Sequence, residues 1–308
     1  MTSYEDKLRT SVLINLFNYE KYVCEAVDSV LDQSVEVNEI LVVDDGSTDD
    51  GPQKIGERYA DHATVRLIQK PNGGQLSSME TGVLEASGDV LFFLDADDRW
   101  ERHHIESYLD VFEGFRDVDF VYSGYREFGN SNRCHHPHDR NIYLGKSILT
   151  TIYGRGYLGS ITSSIAMKRS LARSLFPESE RIKERFRVNG DALLVYGASI
   201  HGGNKYYVDS DSVRYRIHNA NNYAGSPKKR YDEIVRYRNL IEHLRKQADV
   251  PPELRFDFYR EFESIPHPDA RCYRKAKSSL KYMALPFSVR NKTRLRIARH
   301  FYKNRLHG

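Results

Sequence analysis

Two strand-length apolar runs in this chain end abruptly in carboxylates. Glu39–Val43 (EILVV) is followed at once by Asp44 and Asp45, and Asp89–Leu94 (DVLFFL) by Asp95, Asp97 and Asp98. Runs this short and this uniformly apolar suit strands buried on both faces, as in parallel sheets covered by helices. In such sheets ligands bind beyond the carboxyl ends of the strands. Both acidic clusters stand at those ends, so the chain is expected to be α/β and to place its chemistry there.

The flanking pattern agrees. Ser11–Phe17 reads as a first buried strand. Glu20–Leu31 reads as a helix, with Val23, Ala26, Val27, Val30 and Leu31 on one face. Lys54–Ala60 is expected to be helical, Thr64–Lys70 a strand, Gln75–Ala86 a helix and Glu101–Phe112 another. The turn-rich DDGSTDDGP and PNGG (Pro71–Gly74) interrupt them. Further on, Asp119–Tyr125 and Ser160–Met167 look like strands, Gly129–Arg140 a polar loop, and Lys168–Leu175 and Asp191–Ile200 helices. KYYV and VRYRI read as late strands, and from Lys228 the pattern is helical and charged.

Charge is unevenly distributed. From Arg271 to the end there are 12 Lys/Arg and no Asp/Glu, leaving 34 of the 46 basic residues against all 43 acidic ones. An acidic body with a basic extension points to an anionic partner. Arg and Lys mixed with Tyr, Phe and Leu over 271–308 suit an amphipathic helix on an anionic bilayer; the acidic body disfavours nucleic acid. A helical face packed on the body, or a dimer contact, suits the same residues. Cys24, Cys134 and Cys272 are odd in number and far apart, which argues against a disulfide framework and for a reducing compartment. No run reaches the length of a membrane span, and the N-terminus carries no apolar leader, so a cytoplasmic protein is expected.

Carboxylates at strand ends beside a glycine loop suit a phosphorylated ligand only with a cation between them. Asp97 and Asp98 are the expected oxygen ligands for Mg²⁺ or Mn²⁺; a helix N-cap cluster has the same composition. CHHPH (Cys134–His138) has metal-type residues but lacks the paired spacing of a zinc site, and is expected to be an exposed or substrate-lining loop. PNGG is not a dinucleotide fingerprint.

The segments SVLINLFNYEKYVCEAVDSVLDQS, EILVVDDGSTDDG, KPNGGQLSSMETGVLEASGDVLFFLDADD and YRIHNANN resemble the family 2 glycosyltransferases, densely over Ser11–Trp100 and patchily to about Asn222. The resemblance implies the GT-A fold: a mostly parallel sheet flanked by helices, residues 1–225, with a donor half to about 100 and an acceptor half beyond. Residues 226–308 form a helical, basic extension. It implies an inverting transferase using a nucleotide-diphosphate sugar, UDP-linked by preference, and a glycan or lipid-linked glycan acceptor. Phe17 is expected to stack on the base and Asp45 to hydrogen-bond it. Gln75, in N-G-G-Q, belongs to the nucleotide pocket. Asp97 is expected at ribose or metal, Asp98 at metal, with Asp95 and His218 as further metal or diphosphate contacts.

Asp191, in VNGDALLVYG, matches the family's catalytic base, with Gly190 where many members carry Glu. Asn15-Leu16 replaces the usual Pro-Thr, and Ser78-Met79-Glu80 the usual Ala-Arg-Asn; both departures touch the nucleotide pocket. A non-catalytic sugar-nucleotide-binding scaffold is the alternative, which the retained acidic residues oppose. A pyrophosphorylase is disfavoured because SVLINLFNYEKYV lacks a glycine-rich basic loop.

Overall fold

The computed structural model describes residues 7–154, 156–177, 179–218, 229–251, 258–283 and 287–305. The strands are β1 (Thr10–Leu16), β2 (Glu39–Asp44), β3 (Val65–Gln69), β4 (Val90–Asp95), β5 (Arg99–Trp100), β6 (Val118–Ser123), β7 (Tyr125–Gly129), β8 (Cys134–His135), β9 (Ile142–Gly145), β10 (Ile165–Lys168), β11 (Asn204–Val208) and β12 (Val213–Ile217). The helices are α1 (Val23–Leu31), α2 (Gly51–Arg58), α3 (Gln75–Glu85), α4 (His104–Gly114), α5 (Ile148–Gly154), α6 (Arg169–Leu175), α7 (Glu180–Arg185), α8 (Gly190–Ile200), α9 (Lys229–Gln247), α10 (Phe258–Glu263), α11 (Ala270–Tyr282) and α12 (Phe287–Arg305).

Among the described residues the main sheet runs β3-β2-β1-β4-β10-β6-β11-β9. Strands β3, β2, β1 and β4 are mutually parallel; β10 is antiparallel to both of its neighbours, and β6 and β11 pair in parallel. The expected α/β class with a mostly parallel sheet is therefore the observed one. Alternation explains the uniformly apolar strands. Leu13, Leu41, Leu91 and Phe93 enter the core on one face, and Val12, Ile14, Ile40, Val42, Phe92 and Leu94 the core on the other. All ten are fully buried; truncating one such Leu to Ala costs about 2–5 kcal/mol.

Three expectations are corrected. Asp119–Tyr125 is not one strand: the chain breaks at Gly124, where a Cβ would lie 2.5 Å from the His135 carbonyl oxygen, and β7 continues in a second sheet, β5-β12-β7-β8. The loop 129–140 accordingly contributes β8 to that sheet. Within Ser160–Met167 only the end is strand. Thr162–Ser164 form a 3₁₀ turn, which frees their side chains for other contacts.

The extension is joined to the body. Cys272, Ala276 and Leu280 of α11 and Ile297 and Phe301 of α12 belong to the same core as Leu13 and Phe93. Leu240 and Leu244 of α9 pack with Leu193 and Tyr196 of α8. The expected boundary at 225/226 lies outside the described residues, as do Asn219–Asn222 of the last motif. No described helix is long and apolar enough to cross a membrane.

Candidate functional site

Register aligns the two acidic clusters. Leu16 pairs with Asp44 on one side of β1, and Asn15 with Asp95 on the other, so the ends of β2 and β4 flank the end of β1. Neighbouring strands lie about 4.8 Å apart, which puts both clusters along one edge. Phe17 follows β1 and is 45% exposed. Its neighbour Asn18 accepts from the Thr48 amide at 2.8 Å, and the Leu16 carbonyl accepts from the Asp45 amide at 2.9 Å. Phe17 is thus tied to the DDGSTD turn.

The Asp45 carboxylate is buried and gathers the glycine loop. Its Oδ1 accepts from Lys70 Nζ at 2.6 Å and from the Gly73 amide at 2.8 Å; its Oδ2 accepts from the Gly74 amide at 2.6 Å. Lys70 was not singled out in the sequence. Gly74 adopts φ +86, and a Cβ there would meet Arg187 backbone and side-chain atoms at 2.7 Å. Only glycine lets the loop lie this close to the chain entering α8.

Beyond β4, Asp97 and Asp98 are buried, whereas Asp95 keeps some exposure. Asp97 Oδ2 lies 3.1 Å from His218 Nε2, so the fold brings the late His to the acidic turn. The His218 ring sits among Tyr19 and Tyr22. Asp98 is held on both oxygens: Ser163 Oγ donates at 2.5 Å and the Arg216 amide at 2.8 Å. Burial first, then the neighbouring carboxylates, raise the Asp98 carboxyl well above its ordinary range. Burial and the Asp97 charge push Asp95 up to about 7. Crowded carboxylates that oppose each other's ionisation are relieved by a cation, and carboxylate oxygens with one imidazole suit a divalent ion such as Mg²⁺ or Mn²⁺. The donor types present therefore fit a metal, with His218 Nε2 already beside Asp97 Oδ2.

Gln75 links this cluster to the second half of the site. Its Nε2 donates to Asp95 Oδ1 at 2.9 Å and its Oε1 accepts from the Gly190 amide, the start of α8, at 3.0 Å. Asp191 is the next residue, in the first turn of α8. Its Oδ2 accepts from Tyr157 Oη at 2.8 Å. Burial raises the Asp191 carboxyl, and the Tyr157 hydrogen bond opposes the rise. The Asp191 charge in turn contributes to the upward shift at Asp95, so base candidate and acidic turn share one electrostatic field.

Several contributors were invisible in the sequence. Tyr157 and Ser163 come from irregular segments with no periodic signal, and Arg216 from β12, the strand between β5 and β7 of the second sheet. Arg216 Nε donates to the Asp97 carbonyl at 2.7 Å, and its guanidinium covers the rings of Tyr22 and Phe128. Asn15 entered the sequence reading only as a departure. Its side-chain amide is close enough to Asp95 to favour the carboxylate but, buried, makes no hydrogen bond of normal geometry among the described residues. An orphaned buried amide at a strand end is a ready contact for a ligand.

CHHPH departs from expectation in part. Cys134 is exposed, but His138 is buried, with Nδ1 2.6 Å from Asp269 Oδ2 and Nε2 3.2 Å from Tyr122 Oη. Asp269 also caps α11 by accepting from the Cys272 amide. His138 therefore joins body to extension instead of lining a surface loop.

Residues 11–176 match the family described as Glycosyl transferase family 2. An uncharacterized glycosyltransferase of Nostoc sp. is 29% identical over 224 residues, covering 71% of this chain and 68% of that protein. Escherichia coli chondroitin synthase is 36% identical over 113 residues, 37% of this chain and 16% of the synthase; the chain thus matches only a small part of that longer protein. Among solved structures, S. aureus TarS 1–349 in complex with UDP superposes with TM-score 0.58 at 15% identity, over 97% of this chain and 90% of that one. A second TarS structure, in complex with UDP-GlcNAc, gives 0.57 at 16% identity, over 98% and 75%. These likenesses establish a shared fold.

Proposed function

The chain belongs to glycosyl transferase family 2 and is a glycosyltransferase, and we propose that it is an inverting enzyme using a nucleotide-diphosphate sugar. The observation that carries the proposal is the bridge through Gln75, which ties Asp95 at the end of β4 to Gly190, the residue before Asp191. An acidic cluster suited to a diphosphate with its cation and a carboxylate suited to a base are thereby parts of one site.

In this reading Phe17 stacks on the nucleobase, and Asp45 hydrogen-bonds the imide edge of the base. Asp97 contacts ribose or metal, and Gln75 supports the pocket by fixing Asp95 against α8. Asp97, Asp98, Asp95 and His218 would hold Mg²⁺ or Mn²⁺, which when bound would offset charge on the departing diphosphate. Asp191 takes the proton of an acceptor hydroxyl as that oxygen bonds to the anomeric carbon. The bond from that carbon to the diphosphate oxygen breaks on the opposite face, inverting the anomer through an oxocarbenium-like transition state. One base suffices, because no covalent enzyme intermediate forms.

A UDP-sugar is the favoured donor, in line with the ligands of the TarS structures that share the fold. The acceptor is a glycan or lipid-linked glycan in polysaccharide synthesis, in line with the chondroitin synthase segment this chain resembles. The donor half is assigned to about residues 1–100, the acceptor half to 101–225 and the extension to 226–308, with the enzyme on the cytoplasmic side.

A panel of nucleoside diphosphates, with and without Mn²⁺, read by melting midpoint on wild type and Asp97→Asn, tests the donor site. A metal-dependent rise with one nucleotide, lost in the variant, is expected. No rise with any nucleotide at saturating concentration overturns the donor-site assignment. Binding without turnover of any sugar nucleotide would return the scaffold reading.

A further inference from the structure

The described residues expose nine large apolar side chains, and four of them lie on the single helix α12: Phe287 (79%), Val289 (45%), Leu295 (71%) and Tyr302 (58%). Scattered surface leucines are ordinary, but a concentration on one element is not. The same 19-residue helix carries seven Lys/Arg and no Asp/Glu. Its two faces are distinct. Thr293, Ile297 and Phe301 are buried against the body, whereas Lys292, Leu295, Arg299 and Tyr302 recur at helical spacing on the opposite side, all exposed. Lys303 adds to that outer stripe. The inner face alone accounts for the folding of α12. Packing leaves the outer one unexplained.

We propose that the outer face of α12 docks in the plane of an anionic phospholipid bilayer. Leu295 and Tyr302, two turns apart, enter the boundary between headgroups and acyl chains, with Phe287 at the N-terminal end. Lys292, Arg299 and Lys303 meet the lipid phosphates. The chemistry favours lipid over other occupants. A second copy meeting this one through a two-fold axis would set like cations against each other, since such an interface is self-complementary in position. A nucleic acid would use the cations and leave the apolar side chains in water. A surface with negative headgroups over hydrocarbon satisfies both sets. The helix is about 28 Å long at 1.5 Å per residue. It would lie on the membrane, consistent with seven charges that forbid it to span one. The proposal does not depend on the donor-site assignment, and binding to the bilayer is read without any sugar nucleotide.

The test is co-sedimentation of the full chain with vesicles of phosphatidylcholine, and of phosphatidylcholine mixed with phosphatidylglycerol. The vesicles contain no glycolipid, so capture by a lipid-linked acceptor plays no part. Wild type is expected to bind the anionic vesicles, to ignore the neutral ones and to be released by salt. Lys292→Glu/Arg299→Glu should weaken binding by about tenfold or more, since each basic residue near such a surface contributes roughly fivefold. Leu295→Ser/Phe287→Ser should weaken it several-fold while the salt dependence persists. All four positions are exposed, so the melting midpoint should not move. The proposal is overturned by equal binding of wild type and the charge-reversed variant, or by no binding at low salt. It is also overturned if sedimentation equilibrium reveals a dimer that Leu295→Ser dissociates, which would assign the face to a second copy.

Discussion

Tyr157 Oη donates a hydrogen bond of 2.8 Å to Asp191 Oδ2, and it does so where burial is pushing the carboxyl upward. The two effects oppose each other, and their balance sets the pH at which Asp191 ionises. A base works only when deprotonated, so the rate should climb as pH rises through that value. Removing the hydroxyl removes the largest of the contributions that hold the value down. Tyr157→Phe should therefore shift the acid limb of kcat/KM to higher pH, because a hydrogen bond that favours the carboxylate is lost. Activity well above the limb should be largely retained. An unchanged limb, or a uniform loss at every pH, would mean Tyr157 only fills space. Tyr157 is itself backed by the extension, because Lys275 Nζ of α11 donates to its carbonyl at 3.0 Å.

Asp191→Asn separates the base from the binding site. The amide is nearly isosteric and can still meet Tyr157, so the fold and donor affinity should persist. Turnover should fall by about 10²–10⁴, the usual contribution of a positioned general base. Donor affinity measured by melting midpoint and transfer measured by nucleoside diphosphate release give the two readouts. Near-normal turnover would remove Asp191 from the role of base.

Much of this arrangement was readable from the sequence, and the unreadable part has a consistent physical character. Strands β1, β2 and β4 announced themselves because Val12–Leu16, Ile40–Val43 and Val90–Leu94 are apolar at nearly every position, which only a sheet covered on both faces explains. Asp45, Asp95, Asp97 and Asp98 followed directly, since they terminate those strands. Ser163, Arg216 and Tyr157 did not. Ser163 reaches Asp98 from a 3₁₀ turn, Arg216 reaches the Asp97 carbonyl from β12 of the second sheet, and Tyr157 lies outside regular structure. Single polar residues distant in sequence carry no periodicity, and only the folded chain brings them to the acidic turn. The extension was legible only in part, for a related reason. Ile297 and Phe301 share one turn of a helix crowded with cations, so charge dominated its appearance although its inner face is core.

Gly74→Ala tests whether the loop around Asp45 depends on backbone freedom. The residue has φ +86, and a Cβ would sit 2.7 Å from the Arg187 Cα and carbonyl oxygen, backbone that cannot swing aside. The substitution should cost on the order of 1–3 kcal/mol, the range for a non-glycine residue forced into such a conformation. It should also displace the Gly73 and Gly74 amides from Asp45 and weaken nucleotide binding. Chemical denaturation and nucleotide titration read the two effects. A variant as stable as wild type would show that the loop relaxes freely.

Phe17 offers the opposite dissection, a binding residue with little structural duty. It is 45% exposed at the end of β1, so Phe17→Ala should change stability by no more than about 0.5 kcal/mol. Base–aromatic stacking is worth roughly 1–3 kcal/mol by alanine substitution. If the nucleobase stacks on this ring, KM for the donor should rise by about five- to 150-fold with kcat little altered, because the contact is made equally in ground and transition states. Phe17→Tyr preserves the ring face and should restore affinity. Steady-state kinetics on the three proteins decide the matter. An unchanged KM in Phe17→Ala would move the base elsewhere along the edge, toward the orphaned Asn15 amide beside Asp95.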